Sequence, residues 1–276
     1  MSASTTDWRL IGRQLLGVIR LDLRRALLSP RALALYFLAF APLLLVTIWA
    51  LTPFPTHDFA GPHEGIKVFT VLFEFYVRAA IFFSAMFLFV SLYRSEILER
   101  SLHYYLLTPV RRDVVALGKY LAALIASIGV FAVGTTAMFL LVASPWGMAE
   151  LGNYLFSGPG LGNLLGYLGV VALACAGYGA LFLLVGTSFR NPVIPAAVLL
   201  GWESINPVLP GVLKPFSVIY HLQSLYPIPL GGRLLEIVRQ PLPAWAAVAG
   251  GVAFTALVLF VAARKVRRMD LAYGGE

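Results

Sequence analysis

Residues 114–143 read V-V-A-L-G-K-Y-L-A-A-L-I-A-S-I-G-V-F-A-V-G-T-T-A-M-F-L-L-V-A, with one charge, Lys119, close to the start. A helix needs roughly 20 apolar residues to cross the hydrocarbon core of a bilayer, and from Tyr120 onward this run is uncharged. Similar runs lie on both sides of it. They predict spans over 32–51 (with Pro42 inside), 66–93, 161–188 and 244–263. A sixth run, 193–213, is interrupted by Pro195, Pro207 and Pro210. Composition points the same way: of 276 residues, 59% are apolar and 12% charged, against about 45–50% and about 25% in soluble domains. So little charge does not cover a water-facing surface. The expectation is an all-α polytopic membrane protein with six transmembrane helices, forming a single transmembrane domain over 1–276. The lone cysteine, Cys175, sits in an apolar run and makes neither an intrachain disulfide nor a CxxC metal site.

The charge balance, 21 Lys and Arg against 13 Asp and Glu, would suggest nucleic acid in a soluble protein. In a membrane protein the placement of the charges matters more, and no nucleic-acid partner is expected. Six crossings put both ends of the chain on one face, which receives sixteen of the basic residues. The other face receives four, Lys67, Lys214, Arg233 and Arg239, while Arg78 falls within a span. Basic residues collect on the cytoplasmic side, so both termini are expected in the cytoplasm. Trp49, Trp146 and Trp245 then lie at the outer interface.

Ahead of the first span, Trp8, Ile11, Leu15, Val18, Ile19, Leu23 and Ala26 recur at helical spacing. Arg13, Gly17, Arg20 and Arg24 line another face. Residues 1–30 are therefore expected to hold an interfacial amphipathic helix, with Trp8, Arg13, Arg20 and Arg24 engaging membrane lipids. A soluble helix is the alternative, but no soluble domain is there for it to pack on. No signal peptide is expected, because no short apolar core with a small-residue cleavage site stands near the start.

Several chemistries lack their signatures. There is no GxxxxGK[ST] loop, no HExxH pair and no GxSxG elbow. The four histidines, His57, His63, His103 and His221, are scattered, so no metal site is expected. An intramembrane enzyme would need a convergent cluster of catalytic groups, and none is visible. No catalytic residue is therefore assigned.

The segment 94–113 reads R-S-E-I-L-E-R-S-L-H-Y-Y-L-L-T-P-V-R-R-D. Thr108-Pro109 suits the end of one helix and the start of the next. A helix with polar and aromatic faces, tethered closely between two spans, is either a socket for a cytoplasmic partner or an interfacial helix resting on lipid.

This segment resembles the cytoplasmic loop of ABC transporter permeases of the type-two exporter class. The shared pattern is Ser95-Glu96, Leu102, Leu106-Leu107, Pro109 and Arg112, followed by Gly118-Lys119 at the next span. The run R-L-D-L-R-R-A-L-L-S-P-R-A over 20–32 also resembles that class's connecting helix and first span. Glu99-Arg100-Ser101 stands where a small or Gly residue and Thr are usual, a mild departure. The likeness covers the chain in layout, and in sequence chiefly 12–50 and 94–125. It specifies a class and not a substrate.

The resemblance implies a permease subunit in a bacterial inner membrane, paired with a second permease, either as a homodimer or with a different permease, and with two copies of an ATPase. ATP and Mg would then be bound by that ATPase and not by this chain. It implies that 94–113 is a coupling loop, with Glu96, Glu99, Arg100, Tyr104, Tyr105, Leu106, Leu107, Arg111 and Arg112 at the ATPase interface. A lipophilic or amphiphilic substrate would be exported by alternating access. The rivals are a self-contained secondary carrier or channel and a structural scaffold.

Charges inside the bilayer carry a second signal. Glu74 and Arg78 are one helical turn apart and able to pair. They either orient the helix or line a translocation path. Glu203 precedes the break at Asn206-Pro207 and Pro210-Gly211. Broken helices at membrane depth persist only where protein or a cavity covers their backbone. Residues 193–243 are therefore expected to form a broken fifth span with outer re-entrant segments, with Glu203, Asn206, His221 and Gln223 at an outer gate. An ordinary external loop with interfacial Tyr220 and Tyr226 is the alternative. In the fourth span Gly162, Gly166, Ala172, Ala176 and Ala180 permit close helix contact, within one subunit or across a dimer.

Overall fold

Proline, glycine and the length of each apolar run set the helix boundaries. A computed structural model describes residues 8–29, 32–53, 59–98, 112–189, 191–228 and 242–267. Helix α1 is Trp8–Leu28 and α2 is Ala32–Leu51. The next crossing is one continuous rod of three parts: α3, Pro62–Phe75, a π-helical segment, Tyr76–Ile81, and α4, Phe82–Leu98. Then come α5, Arg112–Ala143, a short α6, Met148–Gly152, and α7, Gly160–Ser188. The remainder is α8, Val193–Ile205, a pair of 3-10 turns, α9, Val218–Gln223, and α10, Ala244–Arg267. Among the described residues there is no strand.

Among the described residues, five helices are long and apolar enough to cross a membrane: Ala32–Leu51, Pro62–Leu92, Val114–Trp146, Gly160–Ser188 and Ala244–Val266. They make this a multi-pass, all-helical membrane protein. The sixth expected crossing differs in form. Helix α8 has 13 residues, about 20 Å at 1.5 Å per residue, well short of the roughly 30 Å hydrocarbon core.

The core lies where α3, α4, α5 and α7 meet. Phe69, Phe73, Phe82, Phe89, Phe131, Phe139, Tyr167, Tyr178 and Phe182 are all within 1% of complete burial. Edge-to-face aromatic pairs knit it together: Phe73 with Tyr167 at 4.8 Å, Phe69 with Tyr167 at 4.9 Å and Phe82 with Phe182 at 4.9 Å between ring centres. Buried hydroxyls find partners inside the bundle. Thr70 and Tyr167 hydroxyls lie 2.5 Å apart, and Tyr120 donates to the Ala176 carbonyl at 2.9 Å. By contrast α2 and α10 expose rows of large apolar side chains, including Phe37, Leu44, Ile48, Val252, Leu257 and Phe260.

Glycine in this bundle serves contact more than flexibility. A Cβ on Gly179 would lie 2.6 Å from the Phe89 ring, and one on Gly186 would lie 3.0 Å from the Val90 backbone. These two notches seat α4 against α7. They are separate from the Gly162, Gly166 pair and the alanines read from the sequence. Of that set, Gly162 faces open space, while a Cβ on Gly166 would meet Pro227 at 2.5 Å.

Three helices meet closely at Gly134 of α5. There Tyr76 donates to the Ala39 carbonyl of α2 at 3.0 Å. A Cβ at 134 would sit 2.7 Å from that hydroxyl and 2.9 Å from that carbonyl oxygen. Gly134→Val is expected to destabilise the protein by about 1–3 kcal/mol through overpacking, with Gly134→Ala milder. Thermal unfolding of the detergent-purified chain measures it. An unchanged midpoint for the valine variant would refute the close approach.

Candidate functional site

The interruption between α8 and α9 lies inside the bundle. The last turn of α8 meets Tyr178, a little past the middle of α7, and Arg78, in the π segment of the second crossing. From there the chain leaves through Asn206–Val208 and Lys214–Phe216 and returns as α9. A Cβ on Gly177 of α7 would touch Val218 at 2.9 Å, and one on Gly250 of α10 would meet His221 at 2.6 Å. Pro227 reaches Gly166. Helix α9 is thus wedged between α7 and α10 and runs from the middle of α7 toward its first residues. All of Val218, Ile219, Tyr220, His221 and Leu222 are buried, as is Tyr226.

A helix broken inside an apolar bundle frees backbone N–H and C=O groups that water does not reach. Side chains take them up here. Glu203, on the last turn of α8 and 3% exposed, points its carboxylate at the start of α9. Its Oε1 accepts from the Val218 N–H at 3.0 Å. Its Oε2 accepts from the Ile219 N–H at 2.9 Å, the Ser217 hydroxyl at 2.9 Å and the Tyr178 hydroxyl at 3.2 Å. An anionic cap also suits the positive end of a helix. At the other side of the break, Arg78 Nη1 donates to the Glu203 carbonyl at 3.2 Å, placing a cation against the negative end of α8. Asn206 Nδ2 donates to the Lys214 carbonyl at 3.2 Å. His221 Nε2 donates to the Pro215 carbonyl at 3.0 Å.

Glu74 and Arg78 form the second half of the site. Arg78 Nε donates to Glu74 Oε1 at 2.6 Å, and Gln223 Nε2 donates to the same oxygen at 2.6 Å. Glu74 Oε2 is buried with no hydrogen-bond partner. Neither side chain is fully enclosed: Arg78 is 25% and Glu74 13% exposed. The i,i+4 pairing expected from the sequence is present. The sequence did not announce that Arg78 sits in a π segment, Tyr76–Ile81. Such one-turn departures are frequent at functional sites.

The five residues expected along a path therefore divide. Glu74, Arg78 and Glu203 converge on one network, with Glu203 committed on both oxygens to the start of α9. Asn206 and His221 serve the turn segment, each bonded to a backbone carbonyl. Gln223 joins Glu74 across 149 residues. Tyr178 and Ser217 were not singled out from the sequence. Ser217, just before a short apolar helix, carried a capping signal, but its hydroxyl turns to Glu203 instead of its own helix.

Of the membrane-surface set, Arg13, Arg20 and Arg24 are exposed on α1, and the backbone of Trp8 opens that helix. Of the coupling set, the backbone places Glu96 near the end of α4 and Arg112 at the start of α5. Glu99, Arg100, Tyr104, Tyr105, Leu106, Leu107 and Arg111 lie outside the described residues, as do 229–241 of the expected re-entrant region. Among the described residues no group of three or more His, Cys, Asp or Glu is placed to hold a metal ion. Comparison of the chain with protein-family models, with curated proteins and with solved structures returns no match.

Proposed function

We propose that this chain is the membrane-spanning permease subunit of an ATP-binding cassette transporter of the type-two exporter class. It exports a lipophilic or amphiphilic substrate by alternating access, with ATP and Mg bound on a separate ATPase. The observation that carries the reading is the pairing of two features. The segment 94–113 has the coupling-loop pattern, and the sequence carries no GxxxxGK[ST] loop. Five spanning helices plus a crossing made in two pieces, α8 and α9, give six passes. The excess of basic residues on one face then puts both termini in the cytoplasm. Glu74 and Arg78, partly exposed at the broken crossing, are the polar lining of the path. Glu203 positions the segment that moves against them.

Copurification from native membranes followed by mass spectrometry tests the class. A P-loop ATPase in stoichiometric amount is expected. Transport by the purified chain alone would overturn the proposal and favour a self-contained carrier. Within the complex, Tyr105→Ala combined with Leu106→Ala is expected to keep ATP hydrolysis and expression while abolishing ATP-dependent movement of an amphiphilic dye in vesicles. Unaltered dye movement would remove these residues from the coupling interface.

A further inference from the structure

Helix α1 does more than lie along a surface. It packs lengthwise on the first turns of α5, and Gly118 makes the approach close: a Cβ there would meet Val18 at 2.7 Å and Leu15 at 3.5 Å. The face turned to α5 carries Leu15, Val18, Asp22 and Ala26, spaced three, four and four. An aspartate in the middle of that stripe is the anomaly. It is 6% exposed, and its Oδ2 lies 3.6 Å from Nζ of Lys119, which is itself 2% exposed. Arg13, Arg20 and Arg24 all point away into the open.

A buried ion pair is a weak source of stability, because apolar residues of the same volume do as well or better. What this pair does supply is register, since any slip of one helix along the other carries the buried Asp22 carboxylate away from its cation. The pair joins α1 to α5 about two turns after the start of α5 at Arg112, where the segment 99–111 hands over to the bundle. The other end of α1 is tied to α2, where Tyr36 donates to the Leu27 carbonyl at 3.0 Å.

We propose that Asp22 and Lys119 are a positioning pair that locks α1 in one register on α5, so that α1 and the base of α5 move as a single lever when segment 99–111 is displaced. The motion rests on the permease reading above; the register does not. Breaking the pair leaves α1 bound by its apolar contacts but no longer in one place, and displacement of α5 is no longer passed to it.

The test uses the full chain with Cys175→Ala, spin-labelled at Leu16→Cys on the open face of α1 and Val133→Cys far along α5, both exposed. The unmodified pair is expected to give one narrow distance. Asp22→Leu with Lys119→Leu keeps the volume and removes both charges, so it is expected to fold while the single peak splits or broadens. The swap Asp22→Lys with Lys119→Asp is expected to restore it. A narrow, unshifted peak in the charge-free variant, or a swap that stays broad, overturns the register role. For the motion, a second label pair joins Leu16→Cys to Leu165→Cys on α7, measured in the copurified complex with and without ATP and vanadate. The nucleotide-dependent shift is expected to vanish in the charge-free variant while ATP hydrolysis continues. A shift that persists overturns the lever. Failure to copurify an ATPase strikes the transporter reading and with it the lever, while the 16-to-133 distance still decides the register.

Discussion

Glu203→Ala is expected to be among the most damaging single changes outside the aromatic core. It strands four donors at once: the N–H groups of Val218 and Ile219 and the hydroxyls of Ser217 and Tyr178. Each buried donor left without a partner costs roughly 1–3 kcal/mol, so the loss is expected to reach about 4 kcal/mol even at the low end of that range. Helix α9 has six residues and is too short to hold itself together, so its start should undock from α7 and α10. Glu203→Gln is a sharper control. Its amide oxygen is expected to take the place of Oε2, where three donors converge, and its NH2 group would then face the Val218 N–H. Of the four original donors only the Val218 N–H is orphaned, although the NH2 adds two buried donors of its own, so the loss is expected to fall below that of the alanine variant. Unfolding of the purified chain in mixed micelles measures both. Equal losses for the two variants would mean that the negative charge, and not the count of accepted hydrogen bonds, holds α9 in place.

The spans were legible because run length in an apolar sequence answers to one constraint, the thickness of the bilayer. Predicted spans over 114–143 and 161–188 became Arg112–Ala143 and Gly160–Ser188. The second ran longer at both ends, from Pro62 to Leu98, because proline suits a first helical turn and a charged end continues a helix as well as an apolar one. The halt of the fifth run was legible too, from Pro207 and Pro210. Where the interrupted chain goes was not. Val218–Gln223 carries no period long enough to show which helices will enclose it, and Glu203 meets its donors 14 to 16 residues downstream and 25 upstream.

The π segment left no trace, since one extra residue per turn does not disturb a run that is apolar almost throughout. On α1, Arg13, Arg20 and Arg24 are exposed, while Leu15, Val18, Ile19, Leu23 and Ala26 are partly or fully buried. Asp22 stood on the buried side at helical spacing, between Val18 and Ala26. Its meaning needed Lys119, 97 positions away, which looked from the sequence like the cytoplasmic end of a span.

Arg78→Met should separate the two roles open to the charges of the second crossing. Removing the guanidinium leaves the Glu74 carboxylate in the bundle with only the Gln223 amide on one oxygen and no hydrogen-bond partner on the other. It also takes the donor from the Glu203 carbonyl at the end of α8. Breaking a largely buried pair from one side costs about 3–5 kcal/mol. Glu74→Gln alone leaves the arginine charge inside the bundle, a cost of about 2.5–3.5 kcal/mol on insertion scales, softened by its 25% exposure. Glu74→Gln with Arg78→Met removes both charges and keeps the shape. Its loss should fall well below the sum of the single losses, by roughly 2–3 kcal/mol.

That recovery is where the readings part. On the proposed permease reading, if the pair only orients the helix, the neutral double variant should move the same spectrum of amphiphilic dyes at the same rates as the parent. If the pair lines the path, the double variant should be as stable as expected and yet lose its preference between cationic and neutral dyes, because the exposed part of Arg78 is what a passing headgroup would meet. A stable double variant with unchanged dye preference would leave Glu74 and Arg78 as a strut across the broken crossing and nothing more.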